Sequence, residues 1–301
     1  MRLPLTLATA TLLLTALAAP AGAAPPDDWQ QVGTDARSGV SGLASEGAGS
    51  DSALFVNDNK RPGQPRLSRV TYREGAVAVG RLAWVGAEPN DLEAIAAIPG
   101  TPGEYLALAS RGIVYRVRVD GATATVVDYA PLPAIEEGND YESFALVARD
   151  GKFAALWADR GDGPGRPATL YAAPLTFASW GQPLFGTVTK RTYTSAYPAG
   201  DGTRHISDLA VTGSGRILAS SASDAGDDGP FDSAVSDIGR VTLSAAGRAR
   251  VTLAPSPVRL ATFPGYKIEA VACLPGTTDA LLGTDDENRG GYVRSAPYCG
   301  A

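Results

Sequence analysis

Five short segments of the chain share one order: an oxygen-bearing side chain, a spacer, a hydrophobic residue and an alanine. They read Ser41-Gly-Leu-Ala44, Glu93-Ala-Ile-Ala96, Glu142-Ser-Phe-Ala145, Ser207-Asp-Leu-Ala210 and Glu269-Ala-Val-Ala272, at intervals of 52, 49, 65 and 62 residues. If the fold brings the leading residues together, Ser41, Glu93, Glu142, Ser207 and Glu269 form a ring of three carboxylates and two hydroxyls. Such a ring needs a cation to offset its charge. Ligands that are all oxygen favour a hard ion, Ca²⁺ before Mg²⁺.

Repeats of this length, built from short strands and turns, predict an all-β fold, a five-bladed β-propeller of four-stranded blades. The first strand of each blade lines the central channel, so equivalent positions on five first strands face one axis. The second repeat shows the pattern most clearly. Tyr105-Leu-Ala-Leu-Ala-Ser110 follows the turn Pro99-Gly-Thr-Pro-Gly103, and Ile113 to Val119 alternates apolar and polar residues. Asp120-Gly121 then turns the chain into a fourth strand, Ala124 to Tyr129. In the first repeat the fourth strand is expected over Val77 to Val85, and in the third near Thr187 to Tyr193. The fifth repeat lacks an outer strand. Trp29-Gln-Gln-Val32 is expected to supply it from the N-terminal end, closing the ring and leaving no free sheet edge.

Arg2, an apolar run from Leu5 to Ala19 and the box Ala21-Gly-Ala-Ala24 read as a signal peptide over residues 1–24. About 277 residues then remain as a single domain, 25–301, roughly 55 per repeat. The expected product is secreted, with no membrane-spanning segment, and acts as a monomer. A net charge of −6 speaks against sequence-independent nucleic-acid binding, which needs a basic face. Cys273 and Cys299 are the only cysteines, and in an oxidising compartment an even pair reads as a disulfide. Closing that loop of about 27 residues stabilises by roughly 3–4 kcal/mol on the chain-entropy estimate.

Because neighbouring strands are antiparallel, the ring and the loops between second and third strands should share one mouth. Those loops hold Asn57-Asp58-Asn59-Lys60-Arg61, Ser110-Arg111-Gly112, Asp159-Arg160-Gly161-Asp162, Ser220 to Asp224 and Thr284 to Arg289. Asn57, Asn59, Arg111, Arg160 and Arg289 are the candidate substrate-binding residues. His205, the single histidine, falls near the mouth; alone, it excludes a His-rich zinc site. No G-x-S-x-G elbow, P-loop or dinucleotide fingerprint occurs. The bland reading is a purely structural clamp in which one Ca²⁺ plugs the channel; a weaker one is a Glu ring that pairs with arginines and binds no metal.

The segments Ser41-Gly-Leu-Ala44, Phe55-Val-Asn-Asp-Asn59, Ile206 to Val211, Ile268 to Pro275 and Gly283 to Asn288 together resemble the family known as esterase-like activity of phytase. The ordered set Ser41, Glu93, Glu142, Ser207, Glu269 also resembles that of the calcium-activated nucleotidases, five-bladed apyrases. The resemblance implies a central Ca²⁺ and hydrolysis of a small-molecule phosphate or carboxylic ester. The ion would polarise the substrate and orient a water, with Glu142 or Asp286 as base. The fourth repeat departs from the family, carrying Leu218-Ala-Ser-Ser-Ala-Ser223 where a Glu-Arg pair usually follows the strand. The competing expectation is a non-catalytic propeller that binds an envelope glycan or a protein through its loops.

Overall fold

Five segments of continuous apolar character fold as strands buried on both faces: Ala53 to Val56, Tyr105 to Ala109, Ala154 to Ala158, Ile217 to Ala219 and Ala280 to Leu282. Each is the second strand of one antiparallel sheet, with the channel strand on one side and the outer strands on the other. The computed structural model describes residues 28–73 and 76–300. The expected leader, 1–24, lies outside them.

Strands are numbered in chain order. Blade one is β2 (Gly42–Ser45), β3 (Ser52–Val56), β4 (Leu67–Arg73) and β5 (Ala76–Arg81). Blade two runs outward through β7 (Leu92–Ala97), β8 (Glu104–Ala109), β9 (Ile113–Asp120) and β10 (Thr123–Pro131), and β6 (Ala83–Val85) adds a fifth strand parallel to β10. Blade three has β11 (Tyr141–Arg149), β12 (Lys152–Asp159) and β13 (Ala168–Phe177), whose outer edge is shared by β14 (Pro183–Phe185) and β15 (Thr189–Tyr193). Blade four is β16 (Thr203–Val211), β17 (Arg216–Ser223), β18 (Asp232–Leu243) and β19 (Ala249–Pro264). Blade five is β20 (Ile268–Cys273), β21 (Ala280–Thr284) and β22 (Gly291–Ala296), completed by β1 (Gln30–Gly33).

The five-bladed propeller and its closure by an N-terminal strand are therefore as expected, with Gln30 opposite Val293 and Gln31 opposite Tyr292. One expected strand divides. Val77 to Val85 is not continuous: after β5 the chain leaves blade one at Leu82, which is buried, and Ala83–Val85 pairs with blade two. Blades two and three thus carry five strands each among the described residues.

Packing between blades is made by five apolar clusters, one in each gap. Between blades three and four, Leu156, Leu170, Ile206, Ile217 and Ile238 are fully buried. Each such side chain contributes on the order of 1.5–3 kcal/mol by leaving water. Around the axis, β2 touches β7, β7 touches β11, β11 touches β16, β16 touches β20, and β20 returns to β2. That closed circuit forces the channel strands close together. At Gly42 an added Cβ would stand 2.7 Å from Ala94 Cα, so only glycine fits.

The disulfide Cys273–Cys299 forms, with Cα atoms 5.6 Å apart. It fastens the C-terminal segment to the end of β20.

Candidate functional site: the channel mouth

The leading residue of every repeat occupies a special backbone position. On β7 the register shifts between Leu92 and Ala94, on β11 between Tyr141 and Ser143, on β20 between Ile268 and Ala270, and on β16 between Arg204 and Asp208. Glu93, Glu142, Glu269 and Ser207 therefore sit in β-bulges, and Ser41 immediately precedes β2. A bulge bends the strand and re-aims one side chain, which is why bulges gather next to functional sites. The hydrophobic members of the same repeat, Leu43, Ile95, Phe144, Leu209 and Val271, line a cavity of about 310 Å³ with residues from the far ends of these strands. One end of the channel is polar and the other apolar, and the four-residue repeat encodes both.

Ser41, Glu142, Ser207 and Glu269 are buried, and Glu93 is half-buried. Ser41 Oγ, Glu142 Oε2 and Ser207 Oγ have no hydrogen-bond partner among the described residues. Three orphaned oxygens at three equivalent ring positions are unusual, because buried polar atoms are nearly always satisfied. The electrostatics agree that the ring is crowded. Burial pushes the Glu93 carboxyl well above the usual carboxylate range, and Glu142 and Asp58 push it further. Burial raises Glu142 to about 7, against the pull of Arg204 and Arg160. Asp58 rises to about 6 through burial and repulsion from Glu269, and Asp285 is raised well above its usual value by burial, Glu269 and Asp58.

Three cations share this space. Arg204 Nη1 lies 3.1 Å from Glu142 Oε1 and donates to Glu269 Oε1, while its Nη2 lies 2.9 Å from Asp224. Arg160 Nη1 donates to Glu142 Oε1 at 2.7 Å. Lys267 Nζ lies 3.2 Å from Glu269 Oε1 and also pairs with Glu287. Burial opposes the charge of Arg204, but Glu142 and Glu269 outweigh it and raise its pKa; Lys267 is likewise raised, with Glu269 overcoming burial.

The fit to a cation follows from these contacts. Glutamates do pair with arginines, yet at Glu142 every pairing falls on Oε1, leaving Oε2 bare. Among the described residues no three carboxylate, imidazole or thiolate groups stand together at metal-holding distance. Glu93, Glu142 and Glu269 are therefore not gathered at one metal-holding point, and the serine hydroxyls, the orphaned ones, would have to complete any ligand set. An all-oxygen set of bare, buried atoms suits Ca²⁺.

The remaining sequence candidates are placed differently. Asn57 and Asn59 spend their amide nitrogens on main-chain carbonyls, Gly39 at 2.7 Å and Pro65 at 2.9 Å. Arg111 and Arg289 are exposed and donate to the carbonyls of Asn139 and Gly265, so neither joins the ring. Asp286 is buried, with Oδ1 accepting from the Lys267 N–H and Oδ2 from Thr284 Oγ1. Its neighbour Asp285 is the carboxylate that feels Glu269, and it leaves room only for glycine at position 39. His205 is buried: Nε2 lies 2.8 Å from the Gly163 carbonyl, so it carries the proton and Nδ1 accepts from Ser195. It anchors loops, and does not face the ring carboxylates.

Sequence reasoning missed Arg204, Lys267, Asp58 and Asp285 as members of the site. The available signal was position: a basic residue precedes the ring residue by three in Arg204-x-x-Ser207 and by two in Lys267-x-Glu269.

No family model matches the chain, and no curated protein matches its sequence. Among solved structures it is similar to a glycoside hydrolase at 12% identity and a TM-score of 0.47, covering 87% of this chain and 62% of that one. It is also similar to a GH43 β-1,3-galactosidase with galactodeoxynojirimycin, at 9% identity and a TM-score of 0.44, over 89% and 94% of the two chains. A third is an auxiliary nutrient binding protein from Bacteroides thetaiotaomicron VPI-5482, at 12% identity and a TM-score of 0.36. The chain spans 56% of that protein's length while aligning over 81% of its own. These likenesses concern the propeller architecture. Among the described residues no helix is long and apolar enough to cross a membrane.

Proposed function

We propose that this chain is an exported, Ca²⁺-binding propeller that hydrolyses phosphate or carboxylic esters at its polar channel mouth, in the manner of the phytase-esterase and apyrase families it resembles. One observation carries the reading: Ser41 Oγ, Glu142 Oε2 and Ser207 Oγ are buried without partners at equivalent positions around the axis. Ser41, Glu93, Glu142, Ser207 and Glu269 would hold the ion. Bound there, it would supply Lewis-acid polarisation of the scissile group.

The chain's own residues divide the remaining work. Glu142 has one oxygen on the guanidiniums and one reserved for the ion, so it is a poor proton acceptor, and Asp286 is spent on Lys267 and Thr284. Asp58 is half-buried and has neither a hydrogen bond nor an ion pair among the described residues. It is the carboxylate of the mouth free to accept a proton from water. Leu43, Ile95, Phe144, Leu209 and Val271 line the apolar cavity at the other end of the channel, away from the mouth. The disulfide supports folding in an oxidising compartment, consistent with export.

A non-catalytic binding module with a structural ion is the second reading, because Arg111 and Arg289 stay at the rim and Arg160 pairs with Glu142. Turnover of nucleoside diphosphates, nitrophenyl phosphate and nitrophenyl acetate, with Ca²⁺ and with chelator, separates the two. Calcium-dependent hydrolysis lost in Asp58→Asn supports the hydrolase; no hydrolysis by folded, calcium-loaded protein supports the binding module.

A further inference from the structure

We propose that a cavity between blades three and four, on the face of the disc opposite the channel mouth, binds a small aromatic carboxylate. Phe153 and Phe177 hold the ring, and Lys152 and Arg248 hold the anion. The proposal is independent of how the mouth is read.

Strand direction sets the place. β11 runs from Glu142 at the mouth to Arg149, and β16 runs from Ser207 to Val211; the strands that follow in each blade alternate in direction. The β11–β12 turn, the C-terminal end of β13 and the β18–β19 turn therefore all reach the far face. They enclose a cavity of about 440 Å³, a size usual for a small-ligand site.

The floor is apolar. Phe153 stands opposite Leu175 in register, and the half-buried rings of Phe153 and Phe177 meet edge to face at 6.0 Å. Pro174 and the buried Leu175 complete it. A further aromatic ring extends that arrangement favourably.

The rim carries positive charge only. Lys152 and Arg248 are exposed, and neither side chain forms an ion pair or hydrogen bond among the described residues. No acidic residue lines the cavity, although the chain has a net charge of −6. Asp150, beside it in sequence, pairs with Arg149 at 3.5 Å. The hollows beside Trp84 and Tyr72 differ, because there Arg66 pairs with Glu88 and Arg294 with Asp28 within the lining itself. An aromatic floor under two unpaired cations is complementary to an apolar body that bears one anionic group.

The cations are also positioned. Gly247 has a φ of +78°, and a Cβ there would stand 3.1 Å from Lys152 Cδ, so the lysine stem lies across the residue preceding Arg248. Arg149 Nη1 donates to the Leu243 carbonyl at 3.2 Å and ties the two turns together. A planar guanidinium matches a carboxylate, which it binds through two parallel N–H···O bonds.

The test is calorimetric titration of the folded protein with 2-naphthoate, beside 2-naphthamide, which lacks the charge, and acetate, which lacks the ring. The expected result is one 2-naphthoate per chain, bound at least about 10-fold more tightly than either analogue, the equivalent of about 1.4 kcal/mol. Added salt should weaken it, because the rim charges are open to screening. Lys152→Gln combined with Arg248→Gln, both on exposed side chains, should abolish the preference for the anion. Arg240→Gln, on an exposed arginine of blade four that bonds only Ser214 O, should bind as the unaltered protein does. Absent binding, equal affinity for the amide, or unchanged affinity in the folded double variant overturns the proposal. Loss in Arg160→Gln with binding kept in the double variant moves the anion to the mouth and also overturns it. Self-association or binding to anionic vesicles that the double variant abolishes, without 2-naphthoate binding, assigns the cavity to another occupant and overturns it as well.

Discussion

Glu142 meets Arg204 through one carboxylate oxygen only: Oε1 lies 3.1 Å from the guanidinium, while Oε2 is buried without a partner. That asymmetry reconciles two readings that look exclusive from sequence, a glutamate ring for a cation and glutamates neutralised by arginine. One carboxylate can do both.

Asp58 and Asp286 should separate function from folding. Asp58→Asn is expected to lower kcat by about 10²–10⁴-fold while leaving the melting temperature close to that of the parent. Asp286→Asn should instead destabilise by about 1–3 kcal/mol, because the buried Lys267 N–H and Thr284 hydroxyl lose an ionised acceptor. Paired denaturant melts and rate measurements check both. Equal loss of activity in the two variants without unfolding would reverse the assignment.

Acid sensitivity should trace to Glu104 in blade two. Burial pushes its carboxyl up, but hydrogen bonds from Arg118 and Arg116 outweigh this and hold it below the usual value of 4.5. A carboxylate with a lowered folded pKa contributes its full stabilisation above the unfolded value and loses it as pH falls through the folded one. Glu104→Gln should therefore cost about 2 kcal/mol at pH 7, and the difference from the parent should shrink below about pH 4. Denaturant midpoints at pH 7 and pH 3.5 measure it.

How far such features were legible in the sequence varies with how local their cause is. The five blades, the closing strand and the Cys273–Cys299 bond follow from repeat spacing and cysteine count. The division of Val77 to Val85 was not legible, because the alternation continues and only the neighbouring edge of β10 captures Ala83–Val85. Asp285 and Asp286 are adjacent carboxylates, and the turn at Glu287–Arg289 decides which one feels the ring. Arg204 and Lys267 were not singled out in the sequence, because only the folded chain brings them onto Glu142 and Glu269.

Gly42 tests how tightly the channel strands pack. An alanine there would press its Cβ to 2.7 Å of Ala94 Cα and 2.9 Å of the Glu93 carbonyl, both backbone atoms that cannot rotate away. Gly42→Ala is expected to destabilise by about 1–3 kcal/mol, read from the denaturant midpoint. It should also weaken Ca²⁺ binding, since Ser41 and Glu93 flank the strained contact.

Removing the disulfide should be costly. Cys273→Ser combined with Cys299→Ser is expected to lower stability by about 3–4 kcal/mol relative to the oxidised parent. The two should differ in denaturant midpoint without reductant and converge when the parent is reduced.

The most direct test of the central claim is calorimetric titration of the folded protein with Ca²⁺, beside melting curves in calcium and in excess chelator. The account predicts one bound ion, abolished in Glu142→Gln and weakened in Ser41→Ala combined with Ser207→Ala. At a hundredfold excess over Kd the ion should stabilise by about 2.7 kcal/mol, roughly 5–10 °C in melting temperature. No heat of binding, with identical melting curves in calcium and chelator, would contradict it.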